Sequence, residues 1–191
     1  MKIFLFQFAI LFYVFAFINT ASAQTPAFLD EKLSIKTFKL GAPWSEYSAS
    51  LRFIKNEENG TTRYRYKKRD VKEFYTAKIN KIEVTYYKSQ LSSVKFFMKK
   101  MSAEQRKALL ESLTELCGTA TFSCNTDCES VGKIKMQERF NWKGEKASLW
   151  IDIPYPDLKS NLVRDLFIPP TTTTITFRNV VIDRSILEDQ F

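Results

Sequence analysis

Apolar and polar positions alternate most regularly between residues 79 and 98. Ile79, Lys81, Glu83, Thr85 and Tyr87 interleave with Asn80, Ile82, Val84 and Tyr86. A side-chain period of two belongs to a strand with unlike faces. Lys88-Ser89-Gln90 reads as a turn, and Leu91 to Met98 returns with Val94, Phe96 and Met98 on one face. This predicts a hairpin with one core face and a wet face carrying Lys81, Glu83 and Lys95. A second hairpin is predicted over Lys133–Trp142 and Ala147–Ile153, around Lys143-Gly144-Glu145-Lys146. Phe140, Trp142, Leu149, Ile151 and Ile153 supply its core side chains. Between the hairpins the period lengthens to that of a helix. Ser102-Ala103-Glu104-Gln105 is a capping box, Leu109, Leu110, Leu113, Leu116 and Cys117 form an apolar stripe, and Gly118 stands where a left-handed cap is wanted.

The remaining elements are written more faintly. Ser34 to Leu40 has strand character and stops at Gly41, and Pro43 to Leu51 reads as a short helix opened by proline. Trp44 is expected to plug the core beneath a sheet. Asn56 to Gly60 is a turn. In Arg63-Tyr64-Arg65-Tyr66-Lys67-Lys68-Arg69, the two tyrosines share one strand face, and Arg63, Arg65 and Lys67 share the other. Cys117 to Cys128 reads as a loop, and Asp157 to Leu166 as a short helix or loop. Ile175 to Ile182 is a β-branched strand. The order predicts an α+β fold, an antiparallel sheet built from hairpins with two or three helices packed on one face. It also hints at a doubled unit of helix and antiparallel strands.

At the N-terminus, Lys2 precedes an apolar run from Ile3 to Ile18, and Asn19-Thr20-Ala21-Ser22-Ala23 closes on the small-residue pattern that signal peptidase reads. Residues 1–23 are therefore expected to be a secretory signal peptide, removed before Gln24. The expected organisation is a leader over 24–33, one domain over 34–183 and a frayed tail over 184–191. No later stretch is apolar enough to suggest a transmembrane segment, and the expected location is periplasmic or secreted.

Charge and chemistry narrow the function classes. Lys and Arg number 29 against 21 Asp and Glu, a net charge of +8 that becomes +7 once Lys2 is removed. That balance favours an anionic envelope component or an acidic protein as partner; nucleic acid is not expected outside the cytoplasm. The chain has no histidine, which excludes histidine triads and dyads and histidine-ligated metal sites. No catalytic, cofactor-binding or metal-binding residue is assigned, and no cofactor is expected. A carboxylate pair drawn from Glu83, Glu138, Glu145 and Asp152 keeps a hydrolase open as an alternative. Export makes a disulfide the default for two of Cys117, Cys124 and Cys128, with three pairings open.

The frame Phe38-Lys39-Leu40-Gly41-Ala42-Pro43-Trp44 resembles the opening of small exported bacterial domains of the outer-membrane-assembly-lipoprotein (SmpA/OmlA) and β-lactamase-inhibitor-protein type. Leu116-Cys117-Gly118 and Asn141-Trp142-Lys143-Gly144-Glu145 look like the second half of such a unit, so the resemblance spans roughly residues 35–153. The chain lacks the lipoprotein cysteine after the signal. The resemblance implies a binding or inhibitory module rather than an enzyme, and carries over no ligand contact. The expected function is an exported, non-enzymatic binding or interaction module of the cell envelope, with a structural assembly factor as a further alternative. Arg63, Tyr64, Arg65, Tyr66 and Lys67 are its candidate surface.

Overall fold

The computed structural model describes residues 27–128, 134–154 and 172–190, and the side chains of all of these except 27, 124–128 and 134–137. The expected signal peptide, the Asp157–Leu166 segment and the Lys133 start of the second hairpin lie outside the described residues. Four helices are described: α1 (Ala27–Lys32), α2 (Trp44–Tyr47), α3 (Ala103–Cys117) and α4 (Val180–Glu188). The strands are β1 (Ser34–Ile35), β2 (Phe38–Lys39), β3 (Leu51–Asn56), β4 (Thr62–Tyr66), β5 (Glu73–Phe74), β6 (Ala77–Tyr87), β7 (Gln90–Met98), β8 (Thr121–Cys128), β9 (Ile134–Lys143), β10 (Ala147–Pro154) and β11 (Thr174–Asn179).

Apart from the small β1–β2 hairpin, the strands form one antiparallel sheet in the order β3-β4-β6-β7-β11-β10-β9-β8, with β5 added on β6. Each half is a meander, and the last strands of the two, β7 and β11, pair in the centre. The doubled unit hinted at by the element order thus exists as topology: a helix precedes each meander, α2 the first and α3 the second.

The period-two stretches form the sheet for the reason the alternation suggested. Ile82, Val84, Val94, Phe96, Met98, Leu149, Ile151, Ile175 and Phe177 all belong to one buried cluster. Leu109, Leu113 and Cys117 of α3, Leu29 of α1, Tyr47 of α2 and Phe38 of β2 join it. Each such large apolar side chain removed from water contributes about 1.5–3 kcal/mol. The capping box of α3 closes as written, with the Gln105 N–H donating to Ser102 Oγ at 3.2 Å and the Ser102 N–H to Gln105 Oε1 at 3.0 Å. Trp142 is fully buried, and its Nε1–H donates to the Gly118 carbonyl at 2.7 Å, joining β9 to the end of α3.

Several expectations change. Ser34 to Leu40 is split by a turn at Lys36, whose φ is +56°. Trp44 is 40% exposed rather than a core plug, its ring beside Tyr64. The leader contains α1, with Leu29 buried and the Asp30 carboxylate accepting backbone N–H donations from Glu145, Lys146 and Ala147 at 2.7–2.9 Å. The last strand ends at Asn179, whose side chain accepts from the Val181 and Ile182 N–H groups and starts α4 where a tail was expected. Ile182 and Ile186, one helical turn apart, form a small separate cluster with Tyr87.

The cysteine loop is also a strand. Cys124 and Cys128 both lie in β8, paired residue by residue with β9. Four residues of extended chain separate their Cα atoms by about 13 Å, beyond the roughly 7 Å a disulfide spans. A 124–128 bridge therefore requires the strand to break. Cys117 is buried, and no disulfide to it occurs among the described side chains, which do not include those of Cys124 and Cys128.

Candidate binding surface

Strand register fixes which side chains share the face of the sheet opposite the large cluster. One row crosses it as Arg139, Asp152, Thr174, Phe97 and Lys81. The next runs Asn141, Trp150, Thr176, Lys95, Glu83, Arg65 and Arg52. The third runs Lys143, Ser148, Arg178, Ser93, Thr85, Arg63 and Lys55. Alternation across a pleated sheet makes this face polar and mainly basic.

Its interior is drier than the wet face expected. Asp152 is 5% exposed and Glu83 9%. Arg139 holds Asp152 through Nε at 2.6 Å and Nη2 at 3.2 Å, a bidentate pair. Trp150 lies between two guanidinium groups, Arg178 at 4.8 Å and Arg139 at 5.5 Å from its ring. Phe97 is flanked in the same way by Lys81 at 3.8 Å and Lys95 at 5.4 Å. Burial pushes the Lys95 ammonium below its ordinary pKa, while Asp152 and Glu83 pull it back up. The Thr176 hydroxyl and the Asn141 carbonyl oxygen are buried beside Trp150 without a hydrogen-bond partner among the described residues.

Toward the β3 edge the charges divide into compensated and uncompensated. Lys55 and Arg63 stand opposite each other, and Glu57 bridges them at 2.8 and 2.5 Å. Arg52 and Arg65 also stand opposite each other, both exposed. No carboxylate among the described residues lies within ion-pair distance of either: Glu83, the neighbour of Arg65, is engaged by Lys81 at 2.8 Å and by Arg63 at 4.0 Å. Like charges directly across a ladder destabilise it, so this pair favours a counter-anion.

The expected surface therefore separates. Arg65 and Lys67 are exposed cations, Arg63 is neutralised, Tyr66 is buried with its hydroxyl donating to Asp70, and Tyr64 packs half-buried among Trp44, Phe53 and Tyr86. Sequence reading missed Arg52, which only the β3–β4 register brings to Arg65, and Phe53, 56% exposed on the other face of the edge strand. The four candidate acids do not converge. Glu83 and Asp152 share a face but are separated by β7 and β11, about 14 Å at the usual strand spacing. Glu138 pairs with Ile153 and lines a groove beside α3, while Glu145 lies in the β9–β10 turn. This separation of Glu83 and Asp152 exceeds the 5–10 Å over which paired carboxylates share a glycosidic bond.

No protein-family model matches the chain, and neither a curated protein nor a solved structure matches it. No described helix is long and apolar enough to cross a membrane. No group of three or more potential metal ligands occurs among the described residues.

Proposed function

We propose that this chain is an exported, non-enzymatic binding module of the cell envelope, and that it recognises an anionic partner through the β3–β4 end of the sheet. The observation that carries this reading is the exposed Arg52–Arg65 pair, held side by side by strand register with no described carboxylate to neutralise it. On the other face of the same sheet edge, exposed Phe53 and Trp44 flank Tyr64 and supply apolar anchors of the kind that concentrate binding energy. The clustering of α1, α2 and α3 residues with one face of the sheet supports an arrangement in which those helices back it. Among the described residues, α4 takes one end of the opposite face. A helix before each of two antiparallel meanders is in keeping with the resemblance to small exported domains of the assembly-lipoprotein and inhibitor-protein type.

The test is flotation of the chain from Gln24 onward with vesicles containing phosphatidylglycerol, against neutral phosphatidylcholine vesicles. Association with the anionic vesicles alone, released by high salt, is expected. Arg52→Glu/Arg65→Glu is expected to weaken it roughly tenfold or more, while Lys107→Glu, at an exposed position of α3, leaves it nearly unchanged. Equal loss in both variants would reduce the effect to net charge and refute a localised site.

A further inference from the structure

Beyond Tyr66, the chain encloses a cleft of about 650 Å³ between the loop that follows β4, the start of β6 and the residue after β7. Lys67, Lys68, Arg69, Lys72, Lys78 and Lys99 line it, all exposed. Val71, Ile79 and Ile82 give it an apolar floor and Asn80 a neutral polar group. The backbone sets this cluster firmly. The Ile79 N–H donates to the Lys72 carbonyl and the Lys99 N–H to the Lys78 carbonyl, both at 2.8 Å. Asp70 pins the loop by accepting from the Tyr66 hydroxyl at 2.9 Å and from the Val71 N–H at 3.0 Å. The ladder shifts between Ile79 and Lys81, leaving Asn80 outside the pairing at the cleft wall.

Cations exceed carboxylates strongly in this cleft. Glu73 is the one carboxylate lining it, and Asp70 is occupied by Tyr66. Lys81, the remaining cation, is taken by Glu83. No ion pair within 4.0 Å joins the six lining cations to a carboxylate among the described residues. The comparably large cavity between the β3–β4 turn and α4 differs in this respect. It contains Arg63 and Arg178, but Glu57 and Asp183 neutralise them there.

We propose that this cleft binds a phosphomonoester- or pyrophosphate-bearing group of sugar or headgroup size. A compact site with this excess of lysine favours a ligand that concentrates close to two negative charges on one group, and the volume exceeds that of a lone phosphate. The proposal deepens the anionic-partner reading and rests on it. It also predicts a pH signature. The chain has no histidine. The titratable and charged groups facing the cleft are Tyr66, Glu73, Asp70, Glu83, lysines and one arginine. A phosphomonoester takes its second charge near pH 6, so affinity should rise from about pH 5 to about pH 7 as the ligand gains that charge.

The experiment titrates the chain with inorganic pyrophosphate at low salt, and measures flotation on vesicles carrying phosphatidate, whose headgroup is a phosphomonoester. Pyrophosphate binding is expected to weaken by about tenfold or more in Lys72→Gln/Lys78→Gln/Lys99→Gln, and similarly in Lys67→Gln/Lys68→Gln/Arg69→Gln. Arg52→Gln/Arg65→Gln should change it by less than about threefold. Binding should strengthen severalfold from about pH 5 to about pH 7. Phosphatidate flotation that pyrophosphate displaces assigns the group to a lipid, and pyrophosphate binding without flotation assigns it to a free phosphate compound. If pyrophosphate does not bind, or neither cleft variant alters its binding, the proposal is overturned. Phosphatidylglycerol binding through Arg52 and Arg65 that survives such a result would leave the broader reading standing, whereas loss of all anionic binding would remove both.

Discussion

Asp30 offers a sharp test of how the two ends of the chain are joined. Its carboxylate accepts from the N–H groups of Glu145, Lys146 and Ala147 at 2.8, 2.7 and 2.9 Å, clamping α1 to the β9–β10 turn. The clamp has room only because residue 144 is glycine, since a Cβ there would overlap the Asp30 carboxylate. Hydrogen bonds to a charged group contribute about 1.5–3 kcal/mol where water is excluded, but the Glu145 and Lys146 donors are exposed and water replaces much of their share. Asp30→Ala is therefore expected to cost about 2.5 kcal/mol, and Gly144→Ala about 2 kcal/mol. In the Asp30→Ala background the glycine change should cost less than about 0.5 kcal/mol, giving a coupling of about 1.5 kcal/mol. Urea unfolding of the four proteins at neutral pH measures this. Equal costs for Gly144→Ala in both backgrounds would refute the clamp. The pH dependence adds an independent check. Burial raises the Asp30 pKa, but the backbone donors of Lys146, Glu145 and Ala147, with the Lys146 charge, hold it below the ordinary value. A depressed carboxylate stabilises fully above its unfolded pKa of about 4 and loses that contribution as pH falls through its folded value. The gap between wild type and Asp30→Asn should accordingly close on acidification.

Three further outcomes are expected. The Tyr86 hydroxyl is buried without a hydrogen-bond partner among the described residues, and burial pushes its pKa far above the ordinary tyrosine value; Tyr86→Phe should raise stability by about 1 kcal/mol in urea unfolding, and a loss would show that the hydroxyl is satisfied. Ser89 holds φ at +64° in the β6–β7 turn while its carbonyl accepts from the Trp44 N–H; Ser89→Gly should add about 1 kcal/mol by relieving a left-handed backbone, read as a raised thermal midpoint, and a lowered midpoint would contradict that. The Cys117 thiol is buried, and burial pushes its pKa up to about 11. Iodoacetamide at about pH 8 should alkylate it only at the rate of unfolding, as followed by peptide mass mapping, and prompt labelling of the folded chain would show it accessible.

The elements legible in the sequence were those whose signal is local. The alternation over 79–98 and 147–153, and the capping box and stripe of 102–117, specify strand, turn and helix through side-chain period and backbone hydrogen bonding alone. β8 was hidden because the alternation of Thr121-Phe122-Ser123-Cys124 is short and stands among cysteines and small polar residues that read as a loop, and its strand state comes from pairing with β9. α4 was hidden because its cap, Asn179, follows directly on the β-branched strand, and its two buried isoleucines find their partner in Tyr87, far away in the chain.

The sequence by itself determined an antiparallel α+β chain, rich in basic side chains and without histidine, in which Arg63 and Arg65 share a strand face apart from Tyr64 and Tyr66. Only the tertiary structure decided which charges are neutralised. Arg63 is matched by Glu57 across a turn, whereas Arg52 is set against Arg65 by the β3–β4 register. Lys99 is carried to Lys72 and Lys78 by the return of β7 along β6. Charge compensation depends on distances of a few ångströms between residues far apart in sequence, and strand register, not composition, sets those distances.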